Sequence, residues 1–203
     1  VLPAPAAHAS GEGRPIDPYD GDMMPGGSGN RQSGAGDERF DAAYYRRFYQ
    51  QLPVHTASSV GHLAGAVMHL SRWWGLRIRS VLDVGAGIGL WRDWFAQNEP
   101  NVRYLSTDVS AHACERYGHE RRDISTWAPR TRYDLVVCQG VLQYLDNAAS
   151  GAAIENLARA TRHLLYLEIP TLHDRSHVID RDATDLDCHW RSADWYRRRL
   201  TPH

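Results

Sequence analysis

Ser80-Val81-Leu82-Asp83-Val84-Gly85-Ala86-Gly87-Ile88-Gly89-Leu90 is the stretch that decides how this chain folds. Its first five residues are a short apolar run with one carboxylate, the pattern of a buried strand. Three glycines in five residues then make a tight turn, and Leu90 to Gln97 resumes with helical spacing. A strand that feeds a glycine turn and opens a helix lets a ligand come close to the backbone, because no side chain stands in the way.

Working outward, the same alternation continues. Downstream, the spacing predicts a strand at Val102 to Thr107, a helix at Ala111 to Tyr117, and an extended piece at Arg121 to Ile124. A strand at Tyr133 to Cys138, a helix from about Ala148 to His163 and a strand at Leu164 to Ile169 follow. Upstream, Val60, Leu63, Val67 and Leu70 give an apolar stripe to a helix over Ser59 to Trp74. Before it, Phe40, Tyr44, Tyr45, Phe48, Tyr49 and Leu52 recur at helical intervals until Pro53 ends the turn. Strands alternating with helices imply parallel βαβ units, so the expected fold class is α/β: a doubly wound, mostly parallel, Rossmann-like sheet with helices on both faces. Ligands in such sheets sit at the carboxyl ends of the strands.

Residues 1–38 are crowded with Gly, Pro, Ser and Ala, as in Met24-Pro25-Gly26-Gly27-Ser28-Gly29, and cannot bury enough apolar surface to offset their ordering entropy. They read as a disordered tail ahead of one domain over residues 39–203.

Charge and composition narrow the partners. The chain has 203 residues, 23 basic and 24 acidic, with a net charge of −1. That balance lacks the field that draws proteins to nucleic acid or an anionic membrane, so a small-molecule substrate is expected. No apolar run approaches the roughly 20 residues of a membrane-spanning helix, and no export signal opens the sequence. Three widely spaced cysteines, Cys114, Cys138 and Cys188, suggest neither a disulfide framework nor a zinc site, and a cytoplasmic setting fits. Asp180, Asp182, Asp185, Asp187, Cys188 and His189 mix hard and soft donors without a metal-ligand spacing, so a solvated acidic loop is expected and no metal.

The glycine turn itself separates two cofactor classes. A nicotinamide fingerprint, GxGxxG, would place its third glycine at position 90, where this sequence has Leu90. The pattern here is GxGxG behind Asp83. With Asp83-Val84-Gly85-Ala86-Gly87-Ile88-Gly89, an acid at the end of Tyr104-Leu105-Ser106-Thr107-Asp108, the pair Asp123-Ile124 and the strand and loop Tyr133 to Leu145, the chain resembles the class I S-adenosylmethionine-dependent methyltransferases. The resemblance covers roughly Phe40 to Leu200.

What the resemblance implies can be stated residue by residue. Asp83, Gly85, Ala86, Gly87 and Gly89 would form the cofactor turn. Asp108, followed by Val109, would accept hydrogen bonds from the ribose hydroxyls, though a carboxylate there also caps a helix starting near Ser110. Asp123 would take the adenine amine and Ile124 the ring face, with a solvated turn carboxylate as the other reading of Asp123. Cys138 and Gln139 would wall the methyl-transfer site. Tyr45 or Tyr49 would face the pocket from a lid helix, and Glu168 would meet substrate. Methyl transfer is an in-line displacement that needs proximity first and a base only if the nucleophile carries a proton. No catalytic residue is therefore assigned, and His173, Gln143 and Tyr144 stand as candidates.

The family usually ends in an antiparallel hairpin after a helix like that of Trp190 to Leu200, which Ser192 would cap. This sequence stops at His203, so either it is truncated there or another segment, or a second subunit in a homodimer, covers that sheet edge. The expected activity is transfer of a methyl group to oxygen, nitrogen or carbon of a small molecule. A nucleotide-dependent oxidoreductase and a non-catalytic cofactor-binding module are the alternatives.

Overall fold

Period-two apolar runs separated by capped helices fold here into one parallel sheet. The structure is a computed structural model that describes residues 39–51 and 53–203; the tail expected over residues 1–38 lies outside the described residues. In chain order the elements are α1 (Ala42–Tyr45), which runs on into a π-helical turn (Arg46–Gln51), α2 (Ala57–Trp73), β1 (Ser80–Val84), α3 (Leu90–Asn98), β2 (Arg103–Asp108), α4 (Ala111–Tyr117) and β3 (Glu120–Arg121). The second half holds β4 (Tyr133–Gln139), a 3₁₀ turn (Leu142–Tyr144), α5 (Asn147–Ala160), β5 (Thr161–Glu168), α6 (Leu172–His177) and α7 (Ala193–Leu200). Among the described residues, no helix is long and apolar enough to cross a membrane.

The strand order is β3-β2-β1-β4-β5 and every pairing is parallel. The chain moves outward from β1 through β2 and β3, then crosses back to lay β4 on the other side of β1. The order therefore reverses between β1 and β4, and the crevice beyond the carboxyl ends of those two strands is where such sheets bind ligands.

Alternate residues of the central strands feed two cores. Leu82, Val84, Val136 and Cys138 pack with Ile154 and Leu157 of α5 and Tyr196 of α7. Val81, Leu135 and Val137 pack with Val60, Val67 and Met68 of α2 and Trp91 and Phe95 of α3. Strand side chains alternate faces, so each strand stabilises both layers. Burying each such Leu, Val or Phe contributes about 1.5–3 kcal/mol.

Local chemistry ends the helices where the sheet needs them to end. Side chains of Asp41, Thr56, Ser110, Asp146 and Ser192 accept backbone N–H groups at the starts of α1, α2, α4, α5 and α7. Two expectations are corrected. The helix expected to reach His163 stops at Ala160: Thr161 donates its hydroxyl to the Leu157 carbonyl 2.8 Å away and pairs in register with Tyr133 of β4. Pairing with β4 outweighs helix propensity at residues 161–163. Leu70, expected in the buried stripe of α2, is 48% exposed, because that helix buries Val60, Ala64, Val67, Met68 and Ser71. Leu70 lies outside that arc.

Candidate functional site

β1 delivers Asp83 and the glycine turn to the switch point. Gly85 and Gly87 have φ of 70° and 59°, in the left-handed region where side chains are strained. A Cβ on Gly85 would stand 2.3 Å from Val141 Cγ2, and one on Gly87 would stand 2.9 Å from the Tyr49 hydroxyl. The turn is anchored to β2 through the Gly85 and Ala86 N–H groups, which donate to the Thr107 carbonyl at 2.9 and 3.0 Å. Gly89 closes the turn directly ahead of α3.

At the tip of β2, Asp108 is buried and each of its oxygens takes one backbone N–H. Oδ2 accepts from Gly87 and Oδ1 from Ser110, both at 2.9 Å. Burial raises its pKa from the ordinary carboxylate value, while the N–H groups of Ser110 and Gly87 and the nearby His119 oppose the shift. Each oxygen keeps a lone pair for another donor. Val109, which follows it, is half-buried.

Asp83 is in a poorer position. It is 2% exposed, and its carboxylate accepts one hydrogen bond, 2.9 Å from the Tyr104 hydroxyl. Burial, opposed by that bond and reinforced by the charge of Asp108, pushes its pKa up to about 7. The turn's other support is His119, buried with Nε2 3.0 Å from the Gly87 carbonyl and Nδ1 2.8 Å from Ser106 Oγ. A carbonyl only accepts, so Nε2 carries the proton and Nδ1 accepts from the serine. Burial lowers this histidine's pKa. Tyr104 and His119 were not legible as site residues, because their roles depend on facing β1 across the sheet rather than on any spacing in sequence.

The adenine pair takes two directions. Asp123 Oδ1 accepts from Ser125 N–H and Oγ–H at 2.8 and 2.7 Å and holds its own turn. Ile124 points into the core, with its carbonyl accepting from Asn156 Nδ2 at 2.7 Å.

Over the turn lies the aromatic segment expected as a lid. The Tyr45 ring is buried and stacks on Tyr49, centroids 5.3 Å apart, and Tyr49 covers the open face of Gly87. Ser110 Oγ donates to the Phe40 carbonyl at 2.6 Å, and the Tyr44 and Tyr144 hydroxyls are 2.8 Å apart. Burial pushes the phenols of Tyr44, Tyr45 and Tyr49 upward, so all three are neutral.

Beside the turn, beyond the ends of β4 and β5, is a cavity of about 690 Å³. Its wall includes Tyr44, Tyr49, His55, Gln139, Gln143 and Glu168. Glu168 Oε2 accepts from the Tyr166 hydroxyl at 2.6 Å and from Gln139 Nε2 at 3.1 Å, while Gln139 Oε1 accepts from Trp91 Nε1 at 2.8 Å. His55 Nε2 is 3.6 Å from Glu168 Oε1. His55 sits in the connection between lid and α2, in an unpatterned stretch that gave the sequence reading no signal. Tyr144 also lines the cavity. His173 does not: it is exposed on α6 and stacks on His177, centroids 4.3 Å apart. Cys138 is fully buried in the core beneath the cavity, and burial pushes its thiol well up.

The comparisons agree with this geometry. Residues 82–165 match the family described as a methyltransferase domain. A structure of the plantazolicin methyltransferase BpumL with a desmethyl analogue and SAH is 13% identical, with a TM-score of 0.56 over 81% of this chain and 68% of that one. A DhpI–SAH complex is 20% identical, with a TM-score of 0.51 over 82% and 87%. Against Streptomyces venezuelae DesVI, 21% identical, the chain spans 46% of that chain's length and 50% of its own, with a TM-score of 0.43. No curated protein matches the sequence. At these identities the structural likenesses establish the fold, a doubly wound sheet shared with methyltransferases.

Proposed function

We propose that this chain, whose residues 82–165 form a methyltransferase domain, transfers a methyl group from S-adenosylmethionine to a nucleophilic atom of a small molecule. The observation that carries the reading is the junction of Asp108 with the glycine turn. A glycine-rich turn lies at the switch point, and the carboxylate at the tip of β2 is tied to it by the Gly87 N–H. That arrangement suits a ligand with a ribose and no phosphate. A carboxylate beside the turn accepts from hydroxyls, whereas Leu90 stands where a pyrophosphate-binding fingerprint has its third glycine. BpumL and DhpI are described with SAH bound, which supports the same cofactor here.

In this reading Gly85, Ala86, Gly87 and Gly89 cradle the cofactor's methionine portion, with Asp83 behind them. Asp108 holds the ribose beside Val109 and Asp123 borders the adenine, while Ile124, packed in the core, does not face the ring. S-adenosylmethionine supplies an electrophilic methyl group. The protein's own contribution is positional. Tyr45 and Tyr49 close over the turn and exclude water, Gln139 walls the transfer site with Cys138 buried beneath it rather than in its wall, and Gln143, Tyr144 and Glu168 border the acceptor. The acceptor is a small molecule taken up in the cavity beside the turn, and the enzyme acts in the cytoplasm as a homodimer, with the domain spanning residues 39–203.

Calorimetric titration with S-adenosylhomocysteine tests the reading, with Asp108→Ala as the variant and NADH as the control. Binding of S-adenosylhomocysteine alone, weakened at least about tenfold in the variant, is the expected result; loss of two charge-assisted hydrogen bonds is worth that much. A folded chain that ignores S-adenosylhomocysteine or prefers NADH overturns it.

A further inference from the structure

The cavity beyond β4 and β5 has one sign of charge. Among the described residues lining it there is no Lys or Arg, while Glu168, Asp174, Asp180 and Asp185 all contribute. Three of these carboxylates are already engaged. Asp174 Oδ2 accepts from Thr171 N–H and Oγ–H, both at 2.8 Å, in the capping box of α6. Asp180 Oδ1 accepts from Asp182 and Ala183 N–H at 2.9 and 3.3 Å. Asp185 takes Arg39 on one oxygen and the Asp187 N–H on the other, at 2.9 and 3.0 Å.

Glu168 differs in what holds it: Asp174 and Asp180 brace the backbone of their own turns, whereas Glu168 Oε2 is held by the side chains of Tyr166 and Gln139, which aims the carboxylate at the end of β5, and Oε1 has His55 at 3.6 Å. A second observation is independent of that charge. Gln143, on the same wall and 6% exposed, gives its Nε2 to the Gly140 carbonyl at 2.8 Å, which orients the amide, and its buried Oε1 has no hydrogen-bond partner. A buried acceptor without a donor costs about 1–3 kcal/mol, so the wall that Gln143 shares with Glu168 carries an unmet acceptor as well as a carboxylate. Tyr44, Phe48, Tyr49 and Tyr144 line the cavity with rings, whose faces attract cations.

We propose that this cavity selects an amine, carried on an apolar or aromatic body, as the methyl acceptor, with its ammonium held on Glu168. The proposal rests on the methyltransferase reading above. It disfavours carboxylate- or phosphate-bearing acceptors, which would meet four carboxylates and, among the described lining residues, no Lys or Arg. Transfer requires the nitrogen to shed one proton, and His55, 3.6 Å from the carboxylate, is placed to take it from the ammonium on Glu168. The nitrogen lone pair then forms the N–C bond as the C–S bond of the sulfonium donor breaks, and the bonding pair stays on sulfur as a neutral thioether. The remaining groups facing this pair are the phenols Tyr166, Tyr44, Tyr49 and Tyr144 and the carboxylates Asp174, Asp180 and Asp185.

The test uses the full chain loaded with S-adenosylhomocysteine and three matched probes, phenethylamine, 2-phenylethanol and phenylacetate, titrated calorimetrically. The expected order is amine above alcohol by about tenfold and alcohol above carboxylate, with the amine's advantage lost in Glu168→Gln while S-adenosylhomocysteine affinity is unchanged. Equal binding of amine and alcohol, preference for the carboxylate, no amine binding, or an advantage that survives Glu168→Gln overturns the proposal. Failure to load S-adenosylhomocysteine at the outset instead sinks the methyltransferase reading, so the two failures are told apart before a probe is added.

Discussion

Two aspartates, one on each of the two adjacent central strands, show how one sheet supports two kinds of work. Asp134, on β4 at the amino edge, is 3% exposed, and Asp83, on β1 near the carboxyl edge, is 2% exposed. Desolvation pushes both upward. For Asp134 it is outweighed by the Arg79 N–H, the Arg162 guanidinium and the Ser80 hydroxyl, which hold the pKa below the ordinary carboxylate value. Around it the amino edge is a cleft of about 500 Å³ whose walls include Arg77, Arg79, Arg103, Arg162 and His163. Asp83 has one phenol and a second carboxylate nearby, and its pKa stands at about 7. The carboxylate with compensating partners is structural, and the one left short of them lies where a ligand is expected. The shift in register between Tyr133/Leu135 and β5 belongs to the same arrangement, since it brings both Arg162 and His163 to Asp134 at 2.7 and 3.8 Å.

The comparison breaks most readily at Asp134. Asp134→Ala leaves the Arg79 N–H and Ser80 hydroxyl without their acceptor and Arg162 without its partner, and is expected to cost about 2–4 kcal/mol in denaturant unfolding. A loss below about 1 kcal/mol would mean that water replaces the carboxylate at no great cost, and the amino-edge role assigned to it would fall.

Asp83 is expected to act through pH. Below about pH 4 folded and unfolded chains both hold its proton; from there to about 7 the unfolded chain has released a proton that the folded chain keeps. Stability therefore falls as pH rises through that window, by on the order of 1 kcal/mol per unit, and levels off above about 7. Asp83→Asn removes this slope, so the difference between variant and parent unfolding curves, measured from pH 4.5 to 8, should grow with pH. A constant difference would place Asp83 in the same class as Asp134.

Smaller effects sharpen the picture at the carboxyl edge. Tyr49→Ala uncovers Gly87, and S-adenosylhomocysteine should dissociate about tenfold faster in stopped-flow chase experiments, the equivalent of roughly 1.4 kcal/mol. An unchanged rate would mean that Tyr49 covers the turn without gating it. Smallest is the effect of His55→Asn, which should slow methyl transfer to phenethylamine about two- to threefold in single-turnover experiments while leaving S-adenosylhomocysteine affinity unchanged. An unchanged rate would remove His55 from the neighbourhood of the bound ammonium.

Much of this molecule was legible before its structure was. The residues of β1, the glycine turn, α3 and α4 were bounded to within a residue or two, because a strand that stops at glycine and a helix with a serine cap are local events. Five strands alternating with helices were enough to state the parallel, doubly wound class. The misplaced boundary at Ala160 and the exposed Leu70 share a cause: in both, a partner distant in sequence decided between locally reasonable alternatives. At the site, the acids on β1 and β2 and the tyrosines of the lid were visible from their positions relative to the turn. His55, Tyr104 and His119 were not, since each matters for what stands opposite it.

The sequence by itself determined the strand-turn-helix order, and with it the position of the crevice, because hydrophobic period and glycine placement act over a few residues. Only the tertiary structure decided which buried carboxylates are compensated and which are not. Arg162 lies 28 residues from Asp134, and Tyr104 lies 21 from Asp83. A pKa depends on the solvent and charge within a few ångströms, and that shell is assembled only when the sheet brings its strands together.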